Sequence, residues 1–340
     1  MTVRAADPSS LAAASVGWPD QSALDIREHH VFANGIRQHV IEAGAGPAVL
    51  LCHGFPESWY SWRHQIVALA SAGYRVIAPD MRGYGSTDAP EAIDAYTLLH
   101  LVGDMTRLLA AMGVDRAVVV GHDWGAPVAH NCALLRPDLF VAMATLSIPY
   151  VPRGDVSVVE AGRRAGMDDF YQLYFQRPGT AEANMDRDVA ATLSRLIWNW
   201  SGSPGKGRQW LGVVRDGDLV GSLEPAGDHQ WMTSLDLDFY VAAYRARGFR
   251  APLNWYRNLD RNWELLAPFH GMPLSVPVLF VTGTEDPVLQ WRRSAVENMR
   301  DVAPRLTDTL LIDGAGHWVQ QEAPEAVNAA LIAFLRECGW

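Results

Sequence analysis

Residues 117–135 constrain the fold more than any other stretch of the chain. The apolar run Ala117-Val118-Val119-Val120 leads into Gly121-His122-Asp123-Trp124-Gly125, and Ala126 to Leu135 then reads as a helix. An apolar strand, a turn with glycine at both ends and a helix directly behind it form a sharp elbow. Such an elbow lifts its central residue above the carboxyl end of a strand. A plain strand-to-helix turn in which Asp123 caps the helix would look the same locally. The rest of the chain therefore has to separate the two.

The surroundings alternate strands with helices. Val31 to Ala33 and Arg37 to Glu42 flank Asn34-Gly35, a strong hairpin turn. Ala48 to Cys52 and Tyr74 to Ala78 are short apolar runs, suited to strands buried on both faces of a parallel sheet. Leu98 to Met112 carries apolar residues at helical spacing. Ala142 to Ile148, Val278 to Thr282 and Asp308 to Ile312 read as further strands, and Glu325 to Leu335 as a helix. This alternation predicts a parallel α/β sheet with right-handed crossovers.

Between Pro149 and Leu266 the alternation stops. Helical stretches at Asp168 to Phe175 and Val189 to Trp200 precede a glycine-rich passage over 201–227, and six tryptophans lie between Trp198 and Trp263. The expected organisation is a tail over 1–27, an α/β core over 28–149 and 267–340, and a helical cap over 150–266.

Composition excludes some partners. The 340 residues carry a formal net charge of −10 and no long basic run, which argues against nucleic acid and against an anionic membrane surface. The run Leu11 to Val16 is too short for a signal peptide core and reads as part of a mobile tail. No stretch approaches the roughly 20 apolar residues of a membrane span, so no integral membrane segment is expected. Three cysteines without metal-ligand spacing read as free thiols, buried at Cys52 and Cys132, in a reducing cytoplasm.

An aspartate at the elbow has a specific chemical consequence. A serine alkylated by a saturated carbon becomes an ether, which offers water no carbonyl to attack. An alkylated aspartate is an ester, which water can hydrolyse with help from an oxyanion hole. Asp123 thus points to substrates with an electrophilic sp3 carbon, such as epoxides or alkyl halides.

The partners of such a nucleophile follow it in the order acid, then histidine. His317, in the turn Gly314-Ala315-Gly316-His317-Trp318 after the last strand, is the candidate base. Asp286 is favoured as the acid that orients it, with its neighbour Glu285 as the alternative. Backbone N–H groups of Phe55, in His53-Gly54-Phe55-Pro56, and of Trp124 are the candidate oxyanion donors. Pro56 has no N–H to give. His53, at a strand end, reads as a structural hydrogen-bonding residue, and the loop Asp80 to Asp88 as a structural element of the sheet edge.

With these motifs assembled, the chain resembles the soluble epoxide hydrolases of the α/β-hydrolase superfamily over about residues 28–338. The resemblance rests on HGFPESWYSWRHQ at 53–65, PDMRGYGSTDAP at 79–90, GHDWG at 121–125 and GHWVQQEAP at 316–324. It rests also on YQLYFQRPG at 171–179 and LNWYRN at 253–258. It implies the α/β-hydrolase fold, a mostly parallel eight-stranded sheet with an inserted helical cap. It also implies that one tyrosine from each of the last two segments, Tyr171 and Tyr256, faces the nucleophile. A neutral phenol can polarise the epoxide oxygen and then protonate it. Tyr174 is assigned to packing.

The implied activity opens an epoxide to a vicinal diol through an aspartyl ester, with a small lipophilic epoxide and water as partners. No metal or organic cofactor is implied. The oligomeric state is left open, a homodimer included. A haloalkane or haloacid dehalogenase would share Asp123, His317 and an acid, and Trp124 could serve the halide through its indole. A non-catalytic ligand-binding receptor on the same fold would not need the complete nucleophile, acid and base set.

Overall fold

The computed structural model describes residues 24–340; the expectations for Leu11 to Val16 and the rest of residues 1–23 lie outside the described residues. Eight strands form a single sheet in the order β1-β2-β4-β3-β5-β6-β7-β8. They are β1 (Ile26–Ala33), β2 (Ile36–Ala43), β3 (Ala48–Cys52), β4 (Arg75–Pro79), β5 (Ala117–His122), β6 (Phe140–Leu146), β7 (Val278–Gly283) and β8 (Leu306–Ile312). β2 runs antiparallel to both β1 and β4, and every other neighbouring pair is parallel.

Local chemistry accounts for these elements. Asn34 and Gly35 both adopt positive φ (54° and 77°), the conformation a two-residue hairpin demands, and Ala33 pairs with Ile36 across it. Every residue of β3 and β5 is buried, because helices cover both sheet faces and leave no position for a polar side chain. β1 begins at Ile26, so two residues of the expected tail join the ladder opposite Ala43 and Glu42. β6 ends at Leu146, two residues before the apolar run does, because Ser147 takes φ 70° and turns the chain out of the sheet.

Helix α1 (Arg63–Ser71) lies between β3 and β4, α2 (Leu98–Ala111) between β4 and β5, and α3 (Gly125–Leu135) between β5 and β6. In α2, Thr97 caps the first turn by accepting from the His100 N–H, and Leu98, Leu101, Val102, Met105, Leu108 and Leu109 form the buried stripe. Truncating one of its fully buried leucines, such as Leu108, to alanine costs about 2–5 kcal/mol.

The long segment between β6 and β7 holds α4 (Val158–Arg164), α5 (Tyr171–Tyr174), α6 (Thr180–Met185), α7 (Val189–Trp200), α8 (Ser234–Arg247), α9 (Arg250–Arg257) and α10 (Leu259–Leu265). The helix expected over Asp168 to Phe175 shrinks to the single turn of α5, because Phe170 bridges to Val213 instead. Residues 201–227 contain one short 3₁₀ turn, Val220–Ser222. The chain closes with α11 (Pro287–Glu297), α12 (Met299–Val302), α13 (Val319–Glu322) and α14 (Pro324–Glu337).

One apolar core runs from the sheet into the helical segment and includes Phe55, Trp124, Tyr171, Trp200 and Tyr256. Cys52 and Cys132 are free and buried, and Cys338 is half-buried. Among the described residues, no helix is long and apolar enough to cross a membrane.

Candidate active site

Five neighbouring strands end at the same edge, and the residue or loop after each contributes to one cluster. Asp123 follows β5 directly, Phe55 lies three residues beyond β3, and Ser147 follows β6. Asp286 lies three residues beyond β7 and His317 five beyond β8. Ligands of open α/β sheets bind at this carboxyl edge.

The elbow is built by exclusion of side chains. Asp123 has φ 48°, a left-handed conformation worth about 1–3 kcal/mol of strain for a residue with a Cβ. The strain is held by packing. A Cβ on Gly125 would overlap the carbonyl oxygen of Cys52, and one on Gly54 would overlap the Asp123 side chain itself. Glycine at both positions lets the β3 loop approach the elbow closely enough for the Phe55 N–H to donate to Asp123 Oδ1 at 2.7 Å. Trp124 follows Asp123 and is buried; its indole packs edge-on against Tyr256 with ring centroids 5.1 Å apart.

His317 sits between two carboxylates and is fully buried. Its Nε2 lies 3.4 Å from Asp123 Oδ2, an ion-pair contact rather than an aligned hydrogen bond. Its Nδ1 lies 3.2 Å from Asp286 Oδ1. Burial pulls the imidazolium toward neutrality, but Asp286 and Asp123 outweigh it and hold the pKa up at about 10. Burial likewise pushes the Asp123 carboxyl up, and the close contact and charge of His317 bring it below its ordinary value. The resting pair is therefore a carboxylate and an imidazolium.

Asp286, and not Glu285, faces the imidazole. Glu285 turns to the Thr284 hydroxyl, 3.4 Å away. Asp286 is held by the Val288 N–H at 2.9 Å, the Thr282 hydroxyl at 3.2 Å and the Ser147 hydroxyl at 2.5 Å. The Ser147 oxygen also lies 2.9 Å from His317 Nδ1, where it can accept the same N–H that Asp286 accepts. This arrangement places the proton on Nδ1 and turns Nε2 toward Asp123.

Tyr171 and Tyr256 arrive from α5 and α9, with ring centroids 5.9 Å apart and edge-on. Tyr256 also packs against Phe55 at 5.6 Å, and Tyr171 against Trp200 at 5.5 Å, whose ring in turn stands 4.8 Å from His317. Burial, and then the charge of Asp123, raise both phenols above their ordinary value, so both stay protonated. The Gln172 amide donates to the Tyr171 hydroxyl at 3.1 Å. Tyr174 gives its hydroxyl to the Gly217 carbonyl at 3.0 Å and lies outside the cluster.

His53 is fully buried away from this chemistry. Its Nδ1 donates to the Gly54 carbonyl at 2.9 Å and its Nε2 accepts from the Met81 N–H at 3.0 Å. Asp80 organises the following loop by pairing with His39 at 2.7 Å and accepting from the Trp59 and Ser86 N–H groups.

Some residues of the cluster carried no sequence signal, and others lie in the motif segments without a role assigned to them. Ser147 and Thr282 are ordinary residues at strand ends, and only the adjacency of β6 and β7 brings Ser147 to Asp286. His122 donates from Nε2 to the His317 carbonyl at 2.7 Å, and its Nδ1 lies 2.9 Å from Glu57 Oε2. Glu57 also accepts from Gln320 and Gln321, each at 2.9 Å. Among the described residues, no three His, Cys, Asp or Glu side chains are gathered in a way that would hold a metal ion.

Known proteins resemble this chain over most of its length. A family model described as alpha/beta hydrolase fold matches residues 47–324. Epoxide hydrolase A of Mycobacterium tuberculosis is 48% identical over 91% of this chain and 97% of that protein. An epoxide hydrolase of Caballeronia sordidicola is 42% identical over 92% and 94%. Among solved structures, an epoxide hydrolase from an endophytic Streptomyces superposes with a TM-score of 0.88 at 44% identity, covering 92% of this chain and 95% of that one. Epoxide Hydrolase A from Mycobacterium thermoresistibile gives 0.85 at 45% identity, covering 92% and 98%.

Proposed function

Because the chain belongs to the α/β-hydrolase fold family and is an epoxide hydrolase within it, we propose that it opens a lipophilic epoxide through an ester formed on Asp123. The observation that carries this reading is the placement of Asp123. Its charge reaches two protonated tyrosines and raises both phenols, with a backbone N–H on one carboxylate oxygen and an imidazolium beside the other.

In the first step an oxygen of Asp123 attacks an epoxide carbon and the C–O bond breaks. The electron pair stays on the departing oxygen, which takes a proton from Tyr171 or Tyr256. The ester on Asp123 is now neutral. The Asp123 charge that helped to raise the His317 pKa is gone, while burial still favours neutral imidazole against the charge of Asp286. His317 becomes more acidic and returns a proton, through solvent, to the tyrosinate. Alkylation of Asp123 thus prepares the base.

In the second step neutral His317, oriented by Asp286 and Ser147, removes a proton from water. The hydroxide adds to the ester carbonyl. The Phe55 and Trp124 N–H groups stabilise the tetrahedral oxyanion, which collapses to the Asp123 carboxylate and releases the diol. Residues 150–266 serve as the cap that carries the tyrosines and excludes bulk water. The aromatic lining they share with Phe55 and Trp124 suits an apolar substrate. The buried free thiols fit a reducing compartment such as cytoplasm.

The Trp124 indole packs edge-on against Tyr256, with ring centroids 5.1 Å apart, beside the phenol that serves an epoxide oxygen. Assay of a panel of epoxides and alkyl halides tests the reading: diol release with little or no halide release is expected. Halide release in preference to diol would overturn it.

A further inference from the structure

Glu322, at the end of α13, takes no part in the steps above, yet its carboxylate holds the loop that carries His317. Oε2 accepts from the Gly316 N–H at 2.9 Å and Oε1 from the Trp318 N–H at 3.0 Å. The N–H between them, that of His317, donates to the Trp200 carbonyl at 2.8 Å. Three consecutive backbone donors are thereby committed, two to Glu322 and one to the end of α7.

The same carboxylate reaches across to the helical segment. Oε2 also accepts from the Gly202 N–H at 2.8 Å, two residues beyond α7. The seam it spans is backbone against backbone. A Cβ on Gly202 would overlap the Gly314 carbonyl, and one on Gly316 would overlap the backbone of Ser201 and Gly202. The Trp318 indole closes the seam from below by donating to the Ile197 carbonyl at 2.8 Å.

We infer that Glu322 is a positioning residue for His317, tying the loop that bears the base to the end of α7 so that base and cap keep one geometry. The inference rests on the mechanism given under Proposed function. Only an ionised carboxylate, an acceptor with two oxygens and no donor, can serve three N–H groups in this way. Burial pushes the Glu322 carboxyl up to about 7, and the three N–H groups pull against that rise. Glutamine in its place keeps the volume but has one acceptor oxygen, and its amide N–H₂ meets at least one of the three donors head-on.

The test is rapid-quench kinetics with styrene oxide, following ester on Asp123 by mass spectrometry. Glu322→Gln should alkylate at the wild-type rate and hydrolyse the ester about 10- to 100-fold more slowly, the scale expected for a slightly misplaced catalytic group. Ester should then accumulate in the steady state. Normal hydrolysis, or equal slowing of both steps, overturns the inference.

If Glu322→Gln does not fold, Gly202→Ala decides. It wedges the seam open with the carboxylate intact and should give the same split; normal hydrolysis there overturns the inference. His317→Gln is the control for the underlying mechanism. Failure to trap ester on Asp123 in that variant overturns the mechanism and this inference together, whereas ester trapped there but turned over normally in Glu322→Gln overturns the inference alone.

Discussion

His317 and Asp123 hold each other in the charged form: Nε2 stands 3.4 Å from Oδ2, the imidazole pKa is held up at about 10, and the carboxyl is lowered. The proposed nucleophile and its later base thus share one charge pair, and neutralising one partner changes the other.

Asp123→Asn imitates that neutralisation, since the amide is as uncharged as the ester. The His317 titration, followed by NMR of the ring protons, should move down from about 10 in the variant. The pair also makes stability depend on pH. The folded pKa of His317 lies above its ordinary 6.5, so its contribution is complete below 6.5 and is lost as pH rises through about 10. Denaturant unfolding should therefore lose stability over that window in wild type, and less so in Asp123→Asn. An unchanged His317 titration would show that Asp123 does not set it.

The covalent route leaves an isotopic trace. Hydrolysis at the ester carbonyl puts a water oxygen into Asp123 and sends an original carboxylate oxygen out with the diol. A single turnover in oxygen-18 water should label the peptide bearing Asp123. Label confined to the first-turnover diol would mean direct attack of water on the epoxide.

His317→Gln should separate the two steps, with enzyme of one added substrate mass accumulating on Asp123. Asp286→Asn should impair the same step, because the imidazole loses the partner 3.2 Å from Nδ1. Glu285→Gln should turn over normally. A damaging Glu285→Gln beside a harmless Asp286→Asn would reverse the assignment.

In the proposed mechanism the tyrosines act on the first step. Loss of one donor to a developing oxyanion costs ~10²–10³ in rate, and less where a second donor covers for it. Tyr171→Phe/Tyr256→Phe should nearly abolish alkylation of Asp123 by an epoxide in pre-steady-state measurements. Rapid epoxide opening by the folded double variant would remove the pair from the mechanism.

Gly54→Ala tests the close approach that builds the proposed oxyanion site. The added methyl overlaps the Asp123 side chain, so the β3 loop must retreat and Phe55 N–H must lose its 2.7 Å contact. Overpacking of this kind costs about 1–3 kcal/mol of stability, read by denaturant titration. Activity should fall much further than stability does. Wild-type turnover would show that the approach is not needed.

Much of this was legible in the residue order. Apolar runs such as Ala48 to Cys52 and Val278 to Thr282 became strands because only a sheet covered on both faces tolerates so little polarity. GHDWG became the elbow because glycine alone fits where Gly125 meets the carbonyl of Cys52 at the end of β3. Asp123 and His317 stood out because their flanking strand and turn signals are local. Boundaries were less legible. Ile148 is as apolar as Leu146, and only the left-handed Ser147 between them ends β6.

The sequence by itself determined the order of elements, the aspartate at the elbow and therefore the class of bond it can form and break, since these depend on neighbours in the chain. Tertiary structure alone decided which carboxylate serves His317, since Asp286 and Glu285 are adjacent in sequence and differ only in the face their side chains reach. It alone brought Ser147 and Trp200 to His317 from distant parts of the chain, and Glu322 to Gly202 across 120 positions. Hydrogen bonds across a parallel sheet join strand ends that are distant in sequence, and no local pattern encodes which ends will meet.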